Sequence, residues 1–296
     1  MMLPDSWHGS WPDLKAVVVG LGKSGFSVVD TLVELGVETA VVGKTAKPEL
    51  VDLVGLIGSK FLASESPEVL SKLGFQPDFA VVSPGFSPSH PLVRELEKKG
   101  ILVIGDIELA WRLRDKHDKV AEWIGVTGTN GKTTTSEMTQ AMLLESGKTA
   151  IACGNIGVPI LDAIRDPVGF DYLVVELSSF QLHYLGQISL NVAAFLNIAE
   201  DHLDWHGDFD SYWGAKAKIY QNAANVIVFN EQDSKTLEAA QQAEVAVGCR
   251  AVSFSLGAPA MSSVGYVEEF LVDRAFLSDR ANTALEVCEI SDIEQI

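Results

Sequence analysis

The sequence predicts an α/β protein of two domains, each on a mostly parallel sheet, with some antiparallel edge strands late in the chain. Three observations carry this. Short β-branched runs alternate with helix-length amphipathic stretches, the pattern of strand–helix–strand units. Twice a glycine-rich turn follows such a run and precedes a helix, first at Gly20–Gly25 and again around Gly125, Gly128 and Gly131. The length, 296 residues, is about two typical domains of roughly 150.

Taken in order, Lys15–Val19 reads as the first strand, Ser24–Leu35 as the helix after the glycine turn and Glu38–Val42 as the second strand. Phe79–Val82 reads as a strand ending at Ser83-Pro84-Gly85. A helix near Pro91–Lys99 leads to a strand at Ile101–Ile104, and Asp106–Leu113 reads as one further helix. Arg112–Lys119 carries seven charged or His residues in eight and, Leu113 apart, no apolar periodicity, so it is the linker candidate. The expected domains are therefore residues 1–116 and 117–296. The pattern then restarts with a strand at Ala121–Val126, a turn at Gly128–Lys132 and a helix at Thr133–Glu145. Strands are expected at Thr149–Cys153, Tyr172–Glu176, Val192–Leu196 and Val226–Phe229. Beyond Val245 the segments are short, with turn residues between them. Tyr266–Leu271 and then Ala275–Leu277 are expected to be antiparallel edge strands.

Composition excludes several classes of function. With 47% hydrophobic residues the chain can bury a core, so wholesale disorder is excluded. The 22 Lys and Arg against 40 Asp and Glu give a net charge of -18, which repels nucleic acid and anionic membranes at long range. Cys153, Cys249 and Cys288 form neither a disulfide framework nor a CxxC metal knuckle, as suits a reducing cytoplasm. The N-terminus has no basic and then apolar run of a signal peptide, and the longest apolar runs, such as Val192–Leu196, fall far short of the ~20 residues of a membrane span. A cytoplasmic monomer with no nucleic-acid or membrane partner is the expectation.

Chemistry can sit in four places. Gly20-Leu21-Gly22-Lys23-Ser24-Gly25 fits GxGxxG, whose glycines let a backbone approach an anion at a helix N-terminus. A dinucleotide site would also want an acid at the end of the second strand, where this chain has Gly43-Lys44, so another phosphate-bearing ligand fits better than NAD. Thr127-Gly128-Thr129-Asn130-Gly131-Lys132-Thr133-Thr134 is a variant phosphate loop, with Val126 where the strict GxxxxGK[ST] rule asks for glycine. Its amides can wrap phosphate oxygens, Lys132 supplies a point charge and Thr133 a hydroxyl for magnesium, which points to ATP or GTP. Glu176, ending an apolar strand and followed by Leu177-Ser178-Ser179-Phe180-Gln181-Leu182, is the candidate carboxylate ligand for magnesium. Asn197-Ile198-Ala199-Glu200-Asp201-His202-Leu203-Asp204 clusters an imidazole with carboxylates at another strand end, able to bind metal or relay protons. His183 and His206 read as structural, and Lys216 by itself reads as a solvated helix lysine.

In this order the motifs resemble the Mur ligases of peptidoglycan precursor synthesis, and within them the branch acting on UDP-N-acetylmuramoyl-L-alanine and D-glutamate. Gly20–Gly25 and Ser83-Pro84-Gly85 resemble that branch's Rossmann-like uridine-nucleotide domain, and Thr127–Thr134 the phosphate loop of the whole family. Gly154-Asn155-Ile156-Gly157, Glu176–Leu182, Glu200-Asp201-His202 and Lys216-Ala217-Lys218-Ile219-Tyr220 complete the set. The resemblance implies an ATP- and Mg2+-dependent amide ligase working through an acyl phosphate. It implies ATP contacts at Gly128, Thr129, Asn130, Gly131, Lys132, Thr133 and Thr134, and UDP-substrate contacts at Lys23, Ser24, Ser83 and Gly85. Lys132 is then the residue on the β/γ-phosphates and Asn155 lies near the reacting phosphate. Thr133 and Glu176 hold one magnesium, and His202 a second with Asp201 orienting it. Lys216 matches the family's carbamylated lysine, able as an anion to orient metal. The family also implies a third, closing domain beyond these 296 residues and a final segment of the central domain, so the chain alone is expected to bind nucleotide with little or no ligation. The alternatives are a non-catalytic nucleotide-binding module and an NAD-dependent oxidoreductase.

Overall fold

The computed structural model describes residues 3–293. In chain order its strands and helices begin with β1 (Lys15–Val19), α1 (Lys23–Glu34), β2 (Glu38–Gly43), α2 (Pro48–Leu56), β3 (Lys60–Ala63), β4 (Phe79–Val82), α3 (Pro91–Lys98), β5 (Leu102–Ile104) and α4 (Asp106–Arg112). They continue with β6 (Glu122–Thr127), α5 (Lys132–Glu145), β7 (Ala150–Gly154), α6 (Ile160–Arg165), β8 (Tyr172–Glu176), α7 (Ser179–His183), β9 (Val192–Phe195), α8 (Leu203–His206) and α9 (Phe209–Ala217). The last are β10 (Val226–Asn230), α10 (Ser234–Gln241), β11 (Arg250–Phe254), β12 (Ser263–Val267), β13 (Phe270–Asp273) and β14 (Leu285–Glu289). By internal contacts they form two compact units. One runs to Glu122 and takes in Ser136–Ile188; the other comprises Trp123–Thr135 and the described chain from Ser189.

In the first unit a five-stranded parallel sheet has the order β3-β2-β1-β4-β5. Its central strands are apolar runs because helices cover both faces of a parallel sheet, and Val17, Val19, Val42 and Val82 are wholly buried. The strand order reverses beside β1, so the carboxyl ends of β1, β2 and β4 border a crevice, the usual ligand position in such sheets. The same unit holds the parallel pair β7–β8, in which Gly154 lies opposite Glu176. Helix α6 rests on α1 through Ser27 Oγ to Asp162 (2.6 Å) and through Arg165 to Asp30 and Glu34 (2.6 Å each).

The charged segment 112–116 is tied down rather than loose. Asp115 accepts from Ser6 Oγ (2.5 Å) and from the Trp7 amide (2.6 Å), and Lys116 pairs with Glu34 and lies over the Trp7 ring. These bonds to Asp115, with those from Ser6 and Trp7 outweighing its partial burial, hold the carboxyl below its ordinary range.

In the second unit β14-β13-β12-β11-β10-β9-β6 lie side by side in that order. The strands from β6 to β12 are parallel, and β12–β13 and β13–β14 are antiparallel. The expectation of antiparallel edge strands holds, but two of its segments are corrected. Tyr266–Leu271 is not one strand: Val267 pairs with Phe270 around a two-residue turn at Glu268-Glu269, with Glu268 at φ 54. A turn built on two glutamates carries no glycine or asparagine signal. Ala275–Leu277 is a bend, and the outer strand is β14 instead. The sequence reading also omits α2 and β3. The strand β3 is a half-exposed edge whose residues Lys60-Phe61-Leu62-Ala63 show neither an apolar run nor a clean alternation.

Candidate functional site

The phosphate loop leaves β6 at Thr127 and turns into α5 through Gly131, whose φ of +81° suits glycine. The first amides of α5 have no acceptor four residues back within the helix, so this end is suited to an anion. The loop is held from outside by the segment after β9. Asn197 grips it three times: its carbonyl accepts from the Thr129 amide (3.0 Å), its Oδ1 from the Asn130 amide (2.9 Å), and its Nδ2 donates to Asn130 O (3.0 Å). Thr129 Oγ1 accepts from the Ala199 amide (3.0 Å) and lies 3.0 Å from the Tyr212 hydroxyl. The Asp233 carboxylate secures the next residue, accepting from the Ile198 amide (2.9 Å) while capping α10.

Two lysines converge on one carbonyl of this loop. Lys132 Nζ donates to Gly128 O (2.9 Å) and Thr129 O (3.0 Å), and Lys216 Nζ donates to Gly128 O (2.8 Å) with Thr127 Oγ1 at 3.4 Å. Lys216 is therefore no solvated helix lysine. It is 2% exposed, with its ammonium 5.1 Å from the centre of the Tyr212 ring. Tyr212 stands one helical turn earlier on α9 and is itself buried, and that burial raises its hydroxyl above the ordinary tyrosine range. Lys218, in the 3₁₀ turn after α9, is held below the ordinary lysine range by its burial. His202, in the left-handed region at φ 51, is about half exposed with Asp201 Oδ2 3.4 Å from its Nε2. Its ring meets Tyr212 edge-on at 6.4 Å, and the ring of His206 meets Tyr212 at 5.3 Å.

Asn155 and Glu176 come together in the first unit. Asn155 Nδ2 donates to Glu176 Oε1 (2.8 Å) and its amide to Glu176 O (2.9 Å), which fixes a carboxylate that is 1% exposed. The segment after Glu176 is strapped to α4 and to the turn after β4. Ser178 and Gln181 form a capping box, and Gln181 Nε2 reaches the buried Asp106 carboxylate (3.4 Å). Glu108 Oε2 accepts from the Gly186 amide (3.0 Å), and the Tyr184 hydroxyl donates to Phe86 O (2.7 Å). Burial pushes Asp106 up to about 6, although Gln181 and the Ile107 amide favour its ionised form.

The glycine turn Gly20–Gly25 lines a cleft of about 330 Å³ in the same unit, together with Gly43, Thr45, Glu65 and Ser83. Lys23 and Ser24 line it as well, and Gly85 lies two residues past Ser83 in the turn after β4. Ser83 Oγ donates to Gly20 O (3.3 Å). Asn197 opens the fourth sequence motif without a role of its own there, and Tyr212, Asp233 and Asp106 carry no distinctive site signal in the sequence. The signals open to it were a polar residue at a strand's carboxyl end for Asn197 and the four-residue spacing to Lys216 for Tyr212. Neither is distinctive without the tertiary contact.

Two family descriptions match the chain. The Mur ligase middle domain covers residues 126–290, and the MurD-like Mur ligase N-terminal domain covers residues 14–105. Among curated proteins, a UDP-N-acetylmuramoylalanine--D-glutamate ligase of Leifsonia xyli is 50% identical over 98% of this chain and 59% of its own length. One from Tropheryma whipplei is 42% identical over 98% of this chain and 61% of its own. The chain thus spans about three-fifths of the length of these relatives. Among solved structures, the UDP-N-acetylmuramate:L-alanyl-gamma-D-glutamyl-meso-diaminopimelate ligase of Neisseria meningitides overlays with a TM-score of 0.53 at 16% identity, over 88% of this chain and 82% of that one, a likeness of fold. No helix among the described residues is long and apolar enough to cross a membrane.

Proposed function

This chain belongs to the Mur ligase family, and we propose that it forms the UDP-substrate-binding (1–116) and ATP-binding (117–296) parts of an ATP-dependent ligase joining D-glutamate to UDP-N-acetylmuramoyl-L-alanine. The observation that carries the proposal is the phosphate loop with Lys132 and Lys216 both drawn to Gly128 O. Backbone amides gathered at a helix N-terminus, with Lys132 poised on the loop's own carbonyl oxygens, suit a polyanion better than a neutral ligand.

In the proposed reaction a substrate carboxylate oxygen attacks the γ-phosphorus of ATP, the bond to the β-phosphate oxygen breaks, and ADP leaves an acyl phosphate. The D-glutamate amine then attacks the acyl carbon, and inorganic phosphate departs with the electrons of the C–O bond as the amine loses its proton. The task is to bring anions together, so positioning and charge neutralisation supply most of the rate. Lys132 is proposed to move from the loop carbonyls onto the β- and γ-phosphates. The amides from Gly128 to Thr134 cradle the same oxygens, and Asn155 orients groups at the reacting phosphate. Magnesium, proposed to be held by Thr133 and Glu176, would neutralise the developing phosphate charge when bound. Glu176 offers such an ion a hard carboxylate oxygen that Asn155 holds in place. Among the described residues no group of three or more His, Cys, Asp or Glu that could hold a metal ion is present. His202 is proposed to contact a second ion, with Asp201 orienting its ring.

Lys216 is proposed to give up its ammonium proton to solvent and then attack carbon dioxide through the amine nitrogen, a second proton leaving to solvent as the carbamate forms. The resulting carbamate nitrogen keeps one N–H, enough to retain the bond to Gly128 O. The cleft at Lys23, Ser24, Ser83 and Gly85 is the proposed seat of the UDP moiety.

Phosphate release measured with ATP, magnesium, UDP-N-acetylmuramoyl-L-alanine and D-glutamate tests the reading. Release that depends on both substrates is the expected result for a complete ligase, and binding without release is expected of a nucleotide-binding part. Lys132→Ala is expected to weaken ATP binding about 100-fold, because the loop loses its only lysine. Unchanged ATP affinity in Lys132→Ala would remove the loop from the triphosphate site.

A further inference from the structure

The strand β2 ends at Gly43 and is followed by Lys44, so no side-chain acceptor stands where open parallel sheets of this kind meet the hydroxyls of a bound nucleoside. The structure fills that place from the neighbouring strand. Glu65, two residues past the end of β3, reaches back so that its Oε1 accepts the Lys44 amide at 2.8 Å. A carboxylate therefore stands at the end of β2 without belonging to it. Among the residues lining the glycine-turn cleft, Glu65 is the only acid. Its second oxygen, Oε2, lies 3.8 Å from His90 Nε2, beyond hydrogen-bond length. His90 cannot turn to meet it without cost, because its Nδ1 accepts the Leu92 amide (3.2 Å) at the start of α3. That contact also makes Nδ1 the unprotonated nitrogen. One oxygen of Glu65 thus fixes the turn, and the other keeps acceptor capacity at the cleft.

We infer that Glu65 is the nucleoside-recognising residue of this cleft, its Oε2 accepting a hydrogen bond from an O–H or N–H donor of the nucleoside. The inference rests on the proposed function only in taking the cleft as the uridine-nucleotide site. A charged acceptor meeting a donor in a partly enclosed cleft forms one of the stronger hydrogen bonds available to a protein. It also discriminates, since a nucleoside lacking the donor leaves the carboxylate desolvated and unmatched.

The test is calorimetric titration of the whole chain with UDP, alongside Glu65→Gln. The glutamine oxygen can still accept the Lys44 amide, so the turn is kept while an acceptor at the cleft is replaced by an NH₂ donor. Glu65→Gln is expected to weaken UDP binding at least tenfold, with ATP affinity and thermal midpoint unchanged. Titration with 2′,3′-dideoxy-UDP and with N3-methyl-UDP locates the donor. The analogue that binds wild type and Glu65→Gln equally has lost the group Glu65 reads. UDP binding within twofold of wild type in Glu65→Gln overturns the inference, as does a loss shared with ATP affinity or thermal midpoint, which would make the role structural. Wild-type chain that binds no UDP would overturn the cleft assignment itself.

Discussion

The two glycine turns look alike in sequence, each a strand, a run of glycines and a helix, yet they are held by opposite means. The turn at Gly20–Gly25 is a steric object: a Cβ on Gly25 would stand 2.2 Å from Gly20 O, and one on Gly20 would stand 2.7 Å from Ser83 Oγ. The loop at Gly128–Gly131 is a hydrogen-bonded object, fastened by Asn197 at Asn130 and by Ala199 and Tyr212 at Thr129. The buried charge nearby differs too. Ser24, Gly25 and Ser83 share a narrow interior gap with the Asp106 carboxylate, whereas the second loop has the Lys216 ammonium against it. A close-packed turn offers a fixed shape, as the proposed UDP cleft requires. A tethered loop can keep its backbone in place while Lys132 is re-aimed, as the proposed triphosphate site requires.

The largest effect expected from this contrast is on folding. Gly25→Ala places its methyl group against backbone that cannot move aside cheaply, and we expect a loss of about 3 kcal/mol or more in urea unfolding. Gly22→Ala, where an added Cβ meets nothing within 4 Å, is expected to stay within about 1 kcal/mol of wild type. Equal unfolding midpoints for the two variants would show that the first turn is not set by packing.

The buried acid beside that turn supplies the next effect. Asp106 is raised from 3.8 to about 6 in the folded chain, so between those values the folded state holds a proton that the unfolded state has lost. Its contribution to stability is therefore present below pH 4 and is lost as pH rises through about 6, by roughly 3 kcal/mol at most. Asp106→Asn can still accept from Gln181 and does not ionise. We expect it to unfold at higher urea than wild type at pH 8 and at nearly the same urea at pH 4. A constant difference across that range would place the titration elsewhere.

The two turns also mark how far sequence reaches. Glycine spacing and apolar strands locate both turns and the parallel sheets around them, because backbone geometry and burial on two faces restrict residue type locally. The late hairpin and β3 were illegible, since edge strands and a Glu268-Glu269 turn impose no such restriction. At the sites, Lys132 and Glu176 are marked by their own strand ends, but Lys216 on its helix reads as an ordinary surface lysine. Its burial depends on Tyr212 and on a carbonyl 88 residues away in the chain, and only the family resemblance singled it out. Asp106 was hidden for the same reason: an acid in the first turn of a helix reads as a favourable charge at the helix N-terminus, and Gln181, its partner, is 75 residues on.

The smallest effect falls on the second turn and separates tethering from charge. Asn197→Ala deletes both side-chain bonds to Asn130 and leaves the backbone bond to Thr129, with both lysines untouched. Each lost bond is worth about 1 kcal/mol locally, and the site is open to water, so we expect ATP affinity to fall roughly five- to tenfold. Global unfolding should change little, because the loop carries almost no buried apolar surface, while hydrogen exchange at the Asn130 amide should quicken. If ATP binds Asn197→Ala as tightly as wild type while Lys132→Ala fails to bind, charge alone holds the nucleotide and the tethers serve only the empty loop. If both lose affinity, the loop depends on being arranged in advance, which the steric turn at Gly20–Gly25 achieves without a single side-chain amide.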